Sequence, residues 1–281
     1  MYRLRTVALL LSLLTLGACS STTFFYNRLY LILPWYLDDY VDLNREQDAY
    51  LDAALQPVLD WHRRDELPRY IEILDNIEGM LDQPIGPSDV AGIALQFEQA
   101  WFRLEDKLLG FLLDLGARLS DEQMAAFLEK LWKKQRKYEE KYLKRSEEKY
   151  REDSYEDLLD SLQDYLGRLS KDQRAILRNA SEQLLRSDGV WLTERTAWLN
   201  KLEIILQREE GWQQRVLDAV AQRDEEVSSA YRDTYAHNLD VIQEAIALVL
   251  NDRSERQDRH LRSEVADLKE DLQTLIAQGQ S

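Results

Sequence analysis

A chain of 281 residues with 52 acidic and 36 basic side chains carries a formal charge of −16, a balance that repels nucleic acid and argues against any role in binding it. The acidity does not imply disorder, because 44% of the residues are hydrophobic, with seven tryptophans and fourteen tyrosines to build a core. A single cysteine excludes an intramolecular disulfide.

The first element in chain order is Arg3 and Arg5, then an apolar run from Val7 to Leu16, then Leu16-Gly17-Ala18-Cys19. The run is too short to span a hydrocarbon core of ~30 Å, which takes about 20 apolar residues at 1.5 Å each. A basic start, a short apolar centre and small residues before a cut describe a signal peptide. The cysteine at the cut is distinctive, and the segment resembles the L-[AS]-[GA]-C lipobox of bacterial lipoprotein precursors, with the two small residues exchanged. The resemblance implies that Cys19 takes a diacylglycerol on sulfur, becomes the new N-terminus and is acylated on its amino group. Residues 1–18 are then a cleaved leader and residues 19–23 a lipidated tether, and no cofactor is expected beyond this covalent lipid. Two or more acyl chains anchor stably where one is marginal, at ~0.8 kcal/mol per buried CH₂. Lipidation also removes a lone thiol from an oxidising compartment. By resemblance to Gram-negative lipoproteins, Ser20 directs the protein onward where aspartate would retain it in the inner membrane. The expected address is the inner leaflet of the outer membrane, with the body in the periplasm. Loss of Arg3 and Arg5 leaves 34 basic residues against 52 acidic ones, a formal charge of −18.

Phe24, Phe25, Tyr26, Trp35 and Tyr36 follow directly, and the stretch from Phe24 to Tyr40 is too aromatic for a free tether. These rings can lie at a membrane interface or pack into the body. Asp38, Asp39 and Asp42 would be costly beside an anionic leaflet, so core packing is the favoured expectation. Phe24-Phe25-Tyr26-Asn27-Arg28-Leu29, then Pro34-Trp35-Tyr36-Leu37-Asp38-Asp39-Tyr40-Val41-Asp42-Leu43-Asn44 and Gln47, resembles the opening of an uncharacterised family of Gram-negative lipoproteins, a domain of unknown function. That resemblance implies a lipidated envelope protein with a helical body and transfers no catalytic residue.

Helical periodicity dominates the remainder. Val90, Ile93, Phe97, Trp101, Leu104, Leu108, Phe111 and Leu115 recur at steps of three and four, as do Tyr155, Leu158, Leu162, Tyr165 and Leu169, then Ile176, Ala180 and Leu184, then Trp191, Trp198, Leu202 and Ile205. Breaks are expected at Pro34, at Pro68, at Pro84-Ile85-Gly86-Pro87 and at Gly189. The expected fold is all-α, a bundle of roughly eight to ten helices forming a single domain over residues 24–281. In the last helix Leu261, Val265, Leu268, Leu272 and Leu275 form a narrow coiled-coil-like seam. Its simplest partner is Leu239, Ile242, Ile246 and Val249 of the helix before it, giving a semi-independent hairpin over residues 228–278. A docking helix for another chain is the alternative.

A weak repeat, L-[NS]-x-x-Q, opens three helices at Leu43 to Gln47, Leu119 to Gln123 and Leu169 to Gln173, and Ser254 to Gln257 carries its polar part. Physically these are capping boxes, each worth ~1 kcal/mol to its helix. They also resemble the repeated L-T-x-x-Q motifs of helical periplasmic stress chaperones of the Spy and CpxP type, with Asn or Ser standing for threonine. Lysine has its own pattern: none precedes Lys107, and seven of the eleven fall between Lys130 and Lys149. Lys130, Lys134, Lys137, Lys141 and Lys144 step along one helix face, beside an apolar stripe of Leu131, Tyr138 and Tyr142. A solvated face with pairs such as Glu140 and Lys144 explains them, as does a contact for an anionic partner such as lipid head groups, glycan or an acidic protein face.

No chemistry announces itself. His62, His237 and His260 lack the helical spacings that pair metal ligands, and neither a G-x-S-x-G elbow nor a Gly-rich phosphate loop is present. The Glu-Ser and G-L-M-Q features of lytic transglycosylases are missing as well. His62 beside Asp60, Trp61 and Asp65 is the nearest approach to a constellation and reads better as a helix-surface histidine. The leading expectation is therefore a non-enzymatic outer-membrane lipoprotein that binds or positions another envelope component, whether protein or glycan. A periplasmic chaperone or stress regulator is the alternative, and a glycan-cleaving enzyme the second alternative.

Overall fold

In a computed structural model that describes residues 21–279, the chain is entirely helical and contains no strand among those residues. The helices are α1 (Ser21–Tyr26), α2 (Leu29–Asp38), α3 (Arg45–Trp61), α4 (Leu67–Met80), α5 (Pro87–Arg118), α6 (Asp121–Tyr142), α7 (Glu147–Leu166), α8 (Lys171–Gln183), α9 (Asp188–Ile205), α10 (Trp212–Gln222), α11 (Ser229–Asn251) and α12 (Glu255–Gln278). A five-residue π-helical turn, His62–Glu66, joins α3 and α4 into one continuous rod.

Three expected breaks fall elsewhere. Pro34 sits inside α2, where its missing N–H costs a short helix only one bond. Pro68 lies in the first turn of α4, directly after the π turn. There the Leu67 amide reaches back to the His62 carbonyl, a register slipped by one residue. The wider turn carries the chain past the carbonyl that the proline ring would otherwise strike. Gly189 lies in the first turn of α9, and the real break is the stretch from Leu184 to Ser187 just before it. The turn at Pro84 to Pro87 does separate two helices.

All four repeat segments are complete capping boxes, at Asn44/Gln47, Ser120/Gln123, Ser170/Gln173 and Ser254/Gln257. Their glutamines do more than cap, because they join in two reciprocal pairs. Gln47 Nε2 donates to Gln123 Oε1 at 2.9 Å while Gln123 Nε2 donates to Gln47 Oε1 at 2.8 Å. Gln173 and Gln257 repeat this at 3.2 and 2.9 Å. Each Nε2 also donates to the carbonyl two residues before its partner's cap: Arg118, Asp42, Asp252 and Arg168 respectively. One local motif thus satisfies a helix start, its partner glutamine and the approach to the partner's helix.

The main core lies between α4, α7, α8, α11 and α12, around Leu67, Leu74, Leu166, Leu177, Val249 and Leu275. The seam of α12 is buried there, but its chief partners are α4 and α7, and α11 packs chiefly on α8 and α5. The stripe fixes which face of α12 is buried; what covers it is decided by a rod some 190 residues upstream. Smaller clusters sit around Trp212 between α5, α9 and α10, and around Leu51 and Leu55 of α3. Two asparagines of α11 hold interhelix loops through both backbone groups: Asn251 binds the N–H and C=O of Ile85, and Asn238 those of Leu185.

Candidate functional site: an aromatic face on the first two helices

The helices α1 and α2 are amphipathic in an unusual sense, since both faces are apolar. Leu33 and Leu37 turn inward onto Leu51, Leu55 and Leu115. Phe24, Phe25, Tyr30, Leu31, Trp35 and Tyr36 are exposed, from 44% at Phe25 to 71% at Trp35; on α2, Leu31 and Trp35 point away from Leu33 and Leu37, while Tyr30 and Tyr36 lie nearer the edges of that inward face. Core packing, the expectation for this segment, holds for the inner face and fails for Phe24, Phe25, Trp35 and Tyr36. A helix of ten residues has only one face toward the body, and this one carries apolar residues around more than that face. Isolated exposed apolar residues are ordinary, whereas six within thirteen positions form a patch of the kind that marks a contact surface.

Side-chain hydrogen bonds tie α1 and the turn after it to the body. Tyr26, unlike Phe24 and Phe25, is half-buried, and its hydroxyl meets His62 Nδ1 at 2.9 Å. Thr23 donates to Asp271 at 3.2 Å, and Asn27 bridges Gln278 and Arg63, each at 2.9 Å. The Arg28 guanidinium lies 3.4 Å over the Phe24 ring. Tyr30 and Leu31 were not among the residues singled out from sequence. Leu31 had a signal in its four-residue step to Trp35, whereas no such spacing pointed to Tyr30.

The lysine stripe adjoins this patch. Lys134 is half-buried, 3.6 Å over the Tyr40 ring and 5.9 Å from that of Tyr36. Lys130, Lys137 and Lys141 are exposed on the same helix. Lys144 is exposed but lies past the end of α6, which stops at Tyr142, so the stripe has four members and the expected Glu140–Lys144 pair is lost with the helix. Leu131, Tyr138 and Tyr142 are half-buried, as a stripe facing the body should be. Cys19 and Ser20 lie outside the described residues.

The π turn gathers the polar cluster that sequence reading took for a surface histidine. His62 is enclosed, with Tyr26 on Nδ1 and the Tyr70 hydroxyl 3.2 Å from Nε2. Burial pulls its imidazole down to about 4, against a smaller opposing pull from Glu66, and burial likewise pushes the Tyr26 and Tyr70 hydroxyls up. Four residues on, Glu66 is fully buried and gripped by Arg103 through both carboxylate oxygens at 2.7 to 3.0 Å, with Arg69 at 2.8 Å. Asp188, also buried, is held the same way by Arg145 and Arg186. Both carboxylates are thus taken up in charge-assisted hydrogen bonds to guanidinium groups.

No cluster of three His, Cys, Asp or Glu side chains able to hold a metal ion occurs among the described residues, and no described helix is long and apolar enough to cross a membrane. No curated protein and no solved structure matches the chain. A family model does match, over residues 39–232, from the end of α2 into α11, so the aromatic face and α12 lie outside the matched stretch. Because that match covers well over half of the sequence, the chain belongs to the family described as Family of unknown function (DUF6279).

Proposed function

We propose that the chain is a non-catalytic lipoprotein of the cell envelope, anchored through Cys19 in the inner leaflet of the outer membrane, whose helical body binds or positions another envelope component. The observation that carries this reading is the exposed aromatic face, which begins five residues after Cys19 and is joined to the body by side-chain hydrogen bonds from α1 and by the packing of Leu33 and Leu37. A body built to act at a surface needs such a face next to its tether, and a freely diffusing protein does not. The other two functional classes draw less support. The repeat that resembled a chaperone motif is consumed in paired caps, and the buried Glu66 and Asp188 are clamped by arginines.

Membrane fractionation and proximity labelling test the reading together. Wild type is expected in the outer-membrane fraction with an acylated Cys19, Ser20→Asp in the inner membrane, and Cys19→Ala without acyl chains. Partners labelled by wild type and lost in Cys19→Ala would name the component it positions. A Cys19→Ala protein that fractionates as wild type, or a labelling spectrum equal to that of an unrelated lipoprotein, would refute it.

A further inference from the structure

We infer that the outward face of α1 and α2 is seated in the interfacial layer of an anionic phospholipid leaflet, so that the lipid on Cys19 tethers a body that also lies on the membrane in one fixed orientation. The inference rests on the anchoring proposed above and goes beyond it, since a tethered body could equally stand off.

Three observations point to lipid as the occupant. The first is reach. Phe24 is five residues from Cys19, at most about 18 Å even for a fully extended chain, so an acylated Cys19 holds α1 within that distance of the bilayer. The second is residue chemistry: the face combines Phe, Tyr, Leu and Trp side chains, the mixture found where a ring meets both hydrocarbon and head group. The third is charge. On a chain with 52 acids, no Asp or Glu occurs before Asp38, and Arg28 is the one charged residue between Cys19 and Asp38. The acidic body as a whole would be repelled by an anionic leaflet, and this segment carries none of that acidity. At the rim, where Asp38 and Asp39 begin, α6 supplies Lys134 beside Tyr36 and Tyr40, with exposed Lys130 and Lys137 one turn to either side. Lys134 thus sets a cation at the rim of the α2 face, where a lipid phosphate would meet it.

The test uses the intact lipoprotein reconstituted into vesicles of phosphatidylethanolamine and phosphatidylglycerol with brominated acyl chains, which quench tryptophan on contact. Trp35 is 71% exposed, whereas the other six tryptophans are buried or half-buried, so the quenched signal should belong to Trp35. Wild type is expected to be quenched and Trp35→Phe to lose at least two thirds of that quenching with unchanged helicity. Equal quenching in the two proteins, or none in either, overturns the inference. Replacing phosphatidylglycerol with phosphatidylcholine should reduce the quenching, and no reduction overturns the assignment to an anionic leaflet. A dimer captured by cross-linking through Tyr30→Cys, with Trp35 unquenched, gives the face to a second copy of the chain and also overturns it. Intact mass reads the anchor separately: an unacylated Cys19 refutes the anchoring, while an acylated protein with unquenched Trp35 refutes the seating alone.

Discussion

Replacing Gln257 by alanine separates a helix cap from a tertiary clasp. Gln257 is 7% exposed and its partner Gln173 is fully buried. In the native chain Gln257 Oε1 accepts from the Ser254 amide at 2.9 Å and from Gln173 Nε2 at 3.2 Å, while its Nε2 donates to Gln173 Oε1 at 2.9 Å and to the Arg168 carbonyl at 3.3 Å. If the residue only capped α12, its loss would cost about 1 kcal/mol. The clasp adds more, because the Arg168 carbonyl and one side of the Gln173 amide lose partners inside the protein, at about 1–3 kcal/mol for each group left unsatisfied. Gln173 keeps the Ser170 amide and the Asp252 carbonyl, which holds the expected total near 3 kcal/mol. Urea unfolding followed by helical circular dichroism measures this from the midpoint shift at constant slope. A cycle with Gln173→Ala should be non-additive by about 1 kcal/mol or more, the double variant costing less than the sum of the two. A loss of 1 kcal/mol or below, or strict additivity, would refute this clasp and leave Gln173 and Gln257 as two independent caps.

Three further outcomes are expected. Arg103→Met should destabilise by about 3–5 kcal/mol, because it strips the buried Glu66 carboxylate of its two-pronged partner, and Glu66→Leu combined with Arg103→Met should recover most of that; a mild single variant would show Glu66 to be solvated. Folded His62 titrates near 4 against an ordinary 6.5, so the unfolded chain takes up a proton that the folded one refuses. Stability should therefore be intact above pH 6.5 and fall by up to about 3 kcal/mol as the pH drops through that window, and His62→Gln should flatten the slope measured by unfolding at pH 4 to 7. A His62→Gln slope as steep as wild type would rule His62 out. Gly167 ends α7 at φ 66° and ψ −149°, and a methyl group there would make only an ordinary van der Waals contact, 3.5 Å from His260 Cδ2. Gly167→Ala should thus cost about 1–3 kcal/mol from backbone strain alone, and a neutral variant in thermal unfolding would contradict that backbone geometry.

Most helices were legible because their signals are local. The stripes on α5, α7 and α9 are buried or half-buried as their spacing implied, and every L-[NS]-x-x-Q segment caps a helix. Misreadings came where a residue has two roles and the environment chooses. Proline breaks helices in general, yet Pro34 and Pro68 are absorbed, one by a short surface helix and one by a slip into π register. His62 has the neighbours of a surface histidine, and the approach of Tyr26 from α1, together with Tyr70, encloses it. The candidate site was half legible: its aromatic residues could be named from composition, but whether they faced in or out depended on how much of α2 the Leu51 and Leu55 cluster could cover.

By itself, then, the sequence determined the all-α class, the four helix starts that carry a capping box and four of the six residues of the aromatic patch, because periodicity, capping and side-chain type act within one or two turns. Tertiary structure alone decided that the capping glutamines pair across helices, that the α12 seam closes on α4 and not on its hairpin neighbour, and that Lys134 stands over the Tyr40 ring beside the exposed face. Each of those depends on which distant segment arrives opposite a given face, and no local pattern records the identity of that partner.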